Sequence, residues 1–467
     1  MEEGNESLHV VVLPWLAMGH ILPFFELSRR LASKDHHVSF LTTRKNIDRL
    51  EPKIPHHLSH LLTLVEFTLP HIENLPESVE NTVDLTEEFH RQYLQVAFDS
   101  FEEQFSDFLR NRPSPPPDWV IYDYAAYWVP DIVDRHGIPC AYISLFSAAA
   151  LGFFGPLSKP PISSPKDLTN VPDWIPFPTT VAFLPFEARA LFKPGVLLKA
   201  SGTSQSLQFA KGIEKCPFML IRSCNEFEGA WIELLNELYQ KPVIPIGLFP
   251  PPAPVESKES SQQWATAYKW LEIQEPGSVV YAAFGSEAQL TSTQVNKIAI
   301  GLDQSGLRFV WVLREGSPLP EGFEARTVGR GIVCKGWVPQ VQFLTHPSVG
   351  GFLTHGGWNS IVEGLTIGLP MVILPMLFDQ GLNARNLVDQ GIAVEVPRDL
   401  EDGSFEGEGV SKCLRMVMVD EEGERFRAKA RECKKVLGDE ELHDRYIEGL
   451  VKYLWDHGKQ TPQPLKL

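Results

Sequence analysis

Residues 337–380 read WVPQVQFLTHPSVGGFLTHGGWNSIVEGLTIGLPMVILPMLFDQ, and this stretch decides how the chain folds. Two short apolar runs within it, 351–354 and 371–374, are typical of strands that are buried in a parallel sheet. Between them, two glycines form a turn, and Asn359 and Ser360 are residues that favour the beginning of a helix. A strand, a turn, a helix and a second strand in this order predict a βαβ unit.

The same alternation of strand and helix runs through both halves of the chain. Near the start, the apolar runs 8–15 and 36–42 predict strands. Between them, 24–34 has helical spacing, and Pro23 is expected in the first turn, where proline is tolerated. A second series of apolar runs begins at 278–284. The pattern predicts an α/β protein with two Rossmann-like, doubly wound lobes that face a cleft.

The clearest boundary is the segment 250–263, PPPAPVESKESSQQ, which is rich in proline, serine and charge. We expect an N-terminal lobe over 1–249, this linker, and a C-terminal lobe over 264–437. A helical tail over 438–467 is expected to pack back on the N-terminal lobe. The 467 residues suffice for two such lobes. Within the first lobe, the proline-rich stretch 152–199 predicts a surface excursion beside a site.

Charge and cysteine content limit the partners and the compartment. The net charge of −17 argues against nucleic acid or an anionic membrane surface as a partner. The six cysteines show no CxxC or metal-like spacing and predict buried thiols in a reducing compartment. The acidic beginning MEEGNES is unlike a signal peptide, and no apolar run is long enough to span a membrane. We therefore expect a cytoplasmic protein without a membrane span, and a monomer by default.

The chain lacks the motifs of several common nucleotide-binding enzymes. It has neither GxGxxG after a strand nor GxxxxGK[ST], which argues against dinucleotide and P-loop chemistry. It also has no Asp-x-Asp, which disfavours a diphosphate held through a metal, so no metal and no cofactor are expected. Backbone N–H groups after Gly356 and Gly357 could instead bind phosphate at a helix start, with His355 donating to it. The alternative is a plain glycine-rich turn.

Other side chains of this stretch suit the remaining parts of a nucleotide sugar. Trp337 could stack on a base, although a lone tryptophan is more often part of a core. Glu363 on the helix could accept both ribose hydroxyls, although exposed glutamates on helices are common. Asp379 and Gln380 follow a strand at its carboxyl end, where open α/β sheets hold ligands. Ser286 follows another strand and could add a second phosphate contact.

Taken whole, residues 337–380 resemble the signature box of the plant secondary-product UDP-glycosyltransferases of family 1, whose fold is of the GT-B type. The match runs from the first Trp to the last Gln over the expected 44 residues. One departure is Gly356, where the box commonly has Cys. The resemblance extends over essentially the full chain, including CNEFEG at 224–229 and SVVYAAFGS at 278–286. The ending resembles the subgroup that often lengthens sugars on flavonoid or terpenoid glycosides.

The resemblance implies a role for each matched position. It places the catalytic base at His20, on the first βα loop, and its carboxylate partner at Asp123. The implied UDP-sugar contacts are Ser286, Trp337, Val338, Gln340, His355, Gly357, Trp358, Asn359, Ser360, Glu363, Asp379 and Gln380. The acceptor pocket is expected in the N-terminal lobe and includes Trp15, Tyr122, Phe146, Ser147 and Phe153.

The implied reaction is an inverting displacement without a metal. His20 removes the acceptor proton, and the oxygen attacks the anomeric carbon opposite the departing UDP. UDP-glucose is the first expectation for the donor, with UDP-rhamnose or UDP-xylose open. The acceptor is expected to be a flavonoid or terpenoid glycoside, and the bare aglycone stays open. Two further hypotheses are a non-catalytic nucleotide-sugar-binding protein and an enzyme that hydrolyses or epimerises the sugar nucleotide.

Overall fold

The computed structural model describes residues 7–111, 113–156, 158–159, 162–193, 205–250, 262–285 and 288–458. The chain divides into two compact units. The first unit comprises Met1–Pro161, Lys193–Phe249 and Glu441–Leu467, and the second comprises Ile162–Phe192 and Pro250–Glu440. Each unit is built on its own parallel sheet.

The sheet of the first unit has seven parallel strands among the described residues. They are β1 (His9–Leu13), β2 (His37–Thr42), β3 (Leu62–Glu66), β4 (Trp119–Tyr122), β5 (Cys140–Ser144), β6 (Met219–Ile221) and β7 (Val243–Pro245). Their spatial order is β3-β2-β1-β4-β5-β6-β7, and Leu13 at the end of β1 pairs with Tyr122 at the end of β4. The order of winding reverses between β1 and β4. The carboxyl ends of these two strands therefore flank a switch point, where sheets of this kind bind ligands.

The sheet of the second unit has six parallel strands within the described part of the chain. They are β8 (Val279–Ala283), β9 (Arg308–Leu313), β10 (Gly331–Lys335), β11 (Val349–Thr354), β12 (Met371–Ile373) and β13 (Ala393–Glu395). Their order is β10-β9-β8-β11-β12-β13, and Thr354 pairs with Ala283. The switch point lies between β8 and β11, so it is flanked by the loops that follow these two strands.

Helices connect the strands of both units. In chain order they are α1 (Met18–Ala32), α2 (Arg44–Leu50), α3 (Arg91–Asp99), α4 (Phe101–Arg110), α5 (Val129–His136), α6 (Ala148–Phe154), α7 (Pro185–Leu191), α8 (Gln205–Glu214), α9 (Asn225–Tyr239), α10 (Gln262–Glu272), α11 (Ser292–Ser305), α12 (Phe323–Arg326), α13 (Gln340–Leu344), α14 (Trp358–Ile367), α15 (Gln380–Asp389), α16 (Gly407–Met418), α17 (Glu424–Leu437) and α18 (Glu440–Gly458). Short 3-10 turns lie at Glu51–Lys53, His56–Leu58, Thr82–Asp84, Glu88–His90, Tyr124–Ala126, Pro165–Leu168 and Glu421–Gly423. The predicted α/β class with two Rossmann-like units is confirmed.

Helix α1 differs from the sequence expectation. It begins at Met18 rather than near Phe24, so Pro23 lies in the second turn and not in the first. A proline there removes one backbone hydrogen bond. Ile21 and Phe24 are fully buried, and the free energy of burying this apolar face outweighs the lost bond. The early start places His20 in the first turn of the helix instead of in a loop.

Strands β3 and β13, each at one edge of its sheet, were not predicted from the sequence. In β3 only the first of five residues is buried, because one face of this edge strand meets solvent. Strand β13 has three residues and ends in a glutamate. Neither offers the continuous apolar run that marks the inner strands.

Two segments belong to a unit from which they are separated in sequence by residues of the other unit. Helix α18 belongs to the first unit, where Ile447, Leu450 and Leu454 join the core cluster of that sheet. Residues 162–192, expected within the N-terminal lobe 1–249, pack in the second unit instead. Of the expected linker 250–263, residues 251–261 lie outside the described residues. No described helix combines the length and the apolar character that crossing a membrane would require.

Candidate active site

The ends of β1 and β4 bring His20 and Asp123 together in the first unit. His20 Nδ1 lies 2.5 Å from Asp123 Oδ2. The Asp123 side chain is 2% exposed and the His20 side chain 19% exposed. The carboxylate is therefore fixed within the protein, whereas the imidazole retains a surface that another molecule can approach. Because a carboxylate oxygen accepts, the pair fixes the tautomer with a proton on Nδ1.

The backbone around Asp123 holds the carboxylate in position. Oδ2 accepts a second hydrogen bond from the Trp15 N–H at 3.1 Å, and Oδ1 accepts one from the Tyr124 N–H at 2.6 Å. Trp15 follows β1 and Tyr124 follows β4, so both donors come from the strand ends that form the switch point. A buried carboxylate with three donors needs no solvent to satisfy it. This geometry suits a group that orients an imidazole and stabilises its protonated form.

Two aromatic rings lie beside the His20 imidazole. The His20 ring centre lies 5.7 Å from that of Tyr124 and 6.3 Å from that of Phe146. Tyr124 stacks on Phe209 with 4.7 Å between ring centres and 8° between planes. Neither Tyr124 nor Phe209 is among the residues predicted from the sequence. Tyr124 adjoins Asp123 in sequence, but Phe209, on α8, gives no local signal because only the tertiary fold brings it here.

In the second unit, a glycine-rich turn joins β11 to α14. Gly356 has φ of +84°, in the left-handed region that favours glycine, and Gly357 caps the helix that begins at Trp358. The His355 ring packs closely on two glycines, because an added Cβ would lie 2.7 Å from its Nε2 at Gly285 and 2.6 Å at Gly357. The glycines thus leave room for the imidazole at the switch point. The first backbone N–H groups of α14 point out of this turn and suit an anion.

Three of the predicted donor-site residues form one cluster beside this turn. Gln340 Nε2 donates to Glu363 Oε2 at 2.6 Å and to Ser360 Oγ at 3.3 Å. The hydrogen bond from Gln340 on α13 orients the Glu363 carboxylate on α14. Trp337 precedes this cluster and is 78% exposed, whereas Val338 is buried. An indole that keeps this much apolar surface in solvent has a face open to a planar ligand.

A second cluster lies where α15 begins. Asn383 Nδ2 donates to Asp379 Oδ2 at 2.9 Å and to the carbonyl of Gly356 at 3.2 Å, which ties α15 to the glycine-rich turn. Gln380 Oε1 accepts from the N–H groups of Met376 and Leu377 at 2.9 and 2.8 Å. The Gln380 carbonyl oxygen is thereby fixed, and its amide nitrogen remains the group that could donate to a ligand.

The remaining predicted donor residues are Trp358, Asn359 and Ser286. Trp358 is 5% exposed, so its side chain belongs to the packed start of α14, and Asn359 is half-buried on the same turn. Ser286 lies outside the described residues. Within the described ranges, no three His, Cys, Asp or Glu side chains are grouped closely enough to hold a metal ion.

Comparison with known proteins identifies the family. Residues 257–425 match the family described as UDP-glucoronosyl and UDP-glucosyl transferase. UDP-glycosyltransferase 91C1 of Arabidopsis thaliana is 43% identical over 465 residues, which cover 99% of each chain. Soyasaponin III rhamnosyltransferase of Glycine max is 40% identical, covering 97% of this chain and 96% of that one. The chain belongs to the plant family 1 UDP-glycosyltransferases. It is a metal-independent, inverting transferase that uses a UDP-sugar donor and a small acceptor.

The fold of this glycosyltransferase matches solved structures of the GT-B type. The structure of Glycyrrhiza uralensis UGT73P12 complexed with glycyrrhetinic acid 3-O-monoglucuronide superposes with a TM-score of 0.78. The match covers 97% of this chain and 96% of that one at 22% identity. At this level of identity the likeness concerns the fold, and it confirms the predicted fold type.

The acceptor residues expected from the sequence lie mostly inside the first unit of this glycosyltransferase. Trp15, Tyr122, Ser147 and Phe153 are each at most 1% exposed. Tyr122 donates its hydroxyl to a backbone carbonyl, and Ser147 Oγ caps α6 by accepting from the Ala150 N–H at 3.1 Å. Of the five, Phe146 alone keeps some exposed surface. Their role in acceptor binding stays a prediction.

Proposed function

We propose that this enzyme transfers a sugar from UDP-glucose or UDP-rhamnose to a hydroxyl of a sugar that is already attached to a flavonoid or terpenoid. The name of the soybean relative, a rhamnosyltransferase of a saponin, supports this acceptor class, and that relative is 40% identical. The observation that carries the catalytic part of the proposal is the contact of 2.5 Å between His20 and the buried Asp123. A cytoplasmic location fits the six cysteines, which are all buried, unpaired thiols.

His20 acts as the general base in this proposal. Asp123 holds the proton on Nδ1, so Nε2 is the nitrogen that takes the proton of the acceptor hydroxyl. The developing alkoxide attacks the anomeric carbon from the face opposite the UDP, which inverts the configuration there. As the imidazole gains its second proton, the carboxylate of Asp123 stabilises the positive charge. Tyr124 and Phe146, which flank the imidazole, provide apolar surface for the acceptor.

The second unit holds the donor in this proposal. Trp337, next to the buried Val338, offers the surface on which the uracil stacks. Glu363, oriented by Gln340, accepts from the ribose hydroxyls.

The diphosphate is assigned to the start of α14. The N–H groups of the turn from Gly357 to Ser360, together with His355, stabilise the charge that grows on the departing UDP. Ser286 is assigned a second phosphate contact by resemblance alone.

The sugar is assigned to the start of α15, with a contribution from Trp358. Asp379 is an acceptor for sugar hydroxyls, and the amide nitrogen of Gln380 is a donor to them. Both are held by the contacts with Asn383 and with the backbone of 376–377. A fixed pair of one acceptor and one donor can distinguish hydroxyl positions on a hexose.

Product analysis by mass spectrometry tests this function. Purified protein is incubated with UDP-glucose or UDP-rhamnose, and flavonoid and triterpenoid aglycones are compared with their monoglucosides. The proposal predicts a gain of one hexose or deoxyhexose on the monoglucosides and none on the aglycones. A gain on the aglycones alone would contradict the sugar-extending assignment. UDP binding without any glycoside product would contradict transfer itself.

A further inference from the structure

Residues 162–192 form a segment of the second unit although the chain on both sides of it belongs to the first. The segment includes α7 and lies against the chain from β12 to β13. Thr179 Oγ1 and Thr180 Oγ1 donate to Asp389, the last residue of α15, at 2.7 and 2.6 Å. Arg189 donates to the carbonyl of Glu401. These contacts tie the segment to the end of α15 and to the chain that follows β13.

A buried ion pair connects α7 to the first turn of α15. Arg385, 6% exposed, donates through Nη2 to Glu187 and through Nη1 to the carbonyl of Gly381. Glu187 Oε2 also accepts from the Leu184 N–H at 2.8 Å, so its carboxylate is fixed to its own helix. A Cβ at Gly381 would lie 2.5 Å from Glu187 Oε1. The carboxylate therefore sits directly against the residue that follows Gln380.

A second contact from α7 reaches the beginning of the loop that joins β12 to α15. The Phe186 ring lies 4.8 Å from the guanidinium carbon of Arg398. Arg398 in turn donates to the carbonyl of Pro375 at 2.6 Å, just before the residues that hold Gln380 Oε1. The loop from β12 to α15 is therefore held at both ends by cations that contact α7. A residue of α7 packs on each of these cations.

The contacts at the start of α15 transmit any movement of this loop to the predicted sugar-binding residues. Gln380 adjoins Gly381, whose carbonyl is bound by Arg385. Asp379 is tied through Asn383 to the carbonyl of Gly356 in the glycine-rich turn. Loss of the contact at Gly381 would let the first turn of α15 shift about the link that Asn383 makes with the carbonyl of Gly356. The spacing between sugar-binding and phosphate-binding groups would then change.

The surroundings make this ion pair costly to break. Glu395 Oε1 lies 3.5 Å from Arg385 Nη1, and Glu187 and Arg398 also face this carboxyl. Burial raises the pKa of Glu395 to about 7, with the neighbouring Glu187 adding to the shift and Arg385 opposing it. Of the two carboxyl groups, Glu187 lies closer to the Arg385 guanidinium. Removal of its charge would leave the guanidinium poorly neutralised at a buried position.

We propose that α7 braces the sugar-donor site and that Glu187 is a positioning residue for the sugar of the donor. The inference rests on the proposed function, since it takes Asp379 and Gln380 as sugar contacts. It assigns to residues 162–192 a part in donor recognition, beyond their predicted place in a surface excursion beside a site. The nucleotide is assigned to α13 and α14, which the α7 contacts do not touch. The contacts of α7 should therefore affect binding of the sugar and leave the binding of UDP unchanged.

Calorimetric titration of Glu187→Gln with UDP and with UDP-glucose tests the brace. The inference predicts that the Kd for UDP-glucose and its KM rise by about tenfold or more. The Kd for UDP should stay within about twofold, which also shows that the second unit is folded. Glu187→Asp, which keeps the charge on a shorter side chain, should recover part of the affinity. Thr180→Val is the matched control, because it removes a hydroxyl contact of the same segment at the far end of α15.

The results that would overturn the inference differ from the result that would overturn the proposed function. Unchanged binding of both ligands by Glu187→Gln would overturn the inference. Equal weakening of UDP and UDP-glucose, or an equal effect of Thr180→Val, would also overturn it, because either result indicates general loosening of the unit. If Glu187→Gln does not fold, the binding of UDP and of UDP-glucose by Glu187→Asp is compared with that of the wild type instead. Failure of the wild-type protein to bind either ligand or to form a glycoside would instead overturn the proposed function.

Discussion

Asp123 is the residue whose chemistry the structure defines most completely. Its two oxygens accept from His20, Trp15 and Tyr124, and its side chain is buried. In Asp123→Asn the amide must turn one N–H group towards a donor, so the imidazole loses its anchor or its tautomer. We expect kcat to fall on the order of a hundredfold. Initial rates measured across a range of pH give the change in kcat.

The binding of UDP separates a catalytic loss from a folding defect in this variant. UDP is assigned to the second unit, whereas Asp123 lies in the first. Asp123→Asn should therefore bind UDP as the wild type does, and its circular dichroism spectrum should be unchanged. A variant with a wild-type kcat at every pH would show that Asp123 does not assist His20.

Glu395 gives the second unit a dependence of stability on pH. Burial raises its pKa from 4.5 to about 7, although Arg385 opposes the shift. Between these values the folded chain holds a proton that the unfolded chain releases. The stabilising contribution is thus complete below pH 4.5 and is lost as the pH rises through about 7. Glu395→Gln should raise stability more at about pH 8 than at about pH 5, by up to roughly 3 kcal/mol.

Scanning calorimetry at the two pH values checks this expectation. The amide keeps the volume of the side chain and removes its titration, so the difference in Tm between variant and wild type isolates the ionisation of one group. A difference in Tm that is the same at about pH 5 and about pH 8 would contradict the raised pKa.

At the scale of elements, helix α6 depends on a carboxylate from α9. Glu228 is 1% exposed and accepts from the N–H groups of Ala148 and Ala149, each at 3.0 Å. Ser223 Oγ also donates to it at 2.6 Å. Glu228→Ala leaves these buried donors without an acceptor and should lower the free energy of unfolding by roughly 3 kcal/mol. Urea denaturation measures the change.

A glutamate on the exposed side of the same helix supplies the control. Glu233 also lies on α9, but its side chain is exposed. Glu233→Ala should change stability by no more than about 0.5 kcal/mol. Equal effects of the two substitutions would show that Glu228 contributes only helix propensity and does not cap α6.

The sequence predicts the inner strands, for a physical reason, and misses one edge strand of each sheet. Inner strands such as β1 and β8 are buried on both faces, so their apolar runs are continuous. Among the edge strands, β3 and β13 are partly solvated or short and offer no continuous apolar run. The beginning of α1 is misplaced because the preference of proline for a first turn takes no account of which side chains are buried.

At the scale of the whole molecule, the resemblance named the donor-site residues, but no local pattern could predict which distant segments meet. The contacts of Phe209 with Tyr124 and of Glu187 with Arg385 join residues far apart in sequence. Single polar or aromatic residues such as these form no periodic pattern in the sequence. The exchange of 162–192 into the second unit and of α18 into the first follows from such contacts.

In the proposed mechanism His20 activates the acceptor, and the second unit holds the donor. The most direct test is the initial rate of glycoside formation by His20→Ala, measured beside the Kd for the UDP-sugar. We predict a rate reduced by about a hundredfold or more with an unchanged Kd. Turnover close to that of the wild type would contradict the account, because the imidazole held by Asp123 would then not be the base.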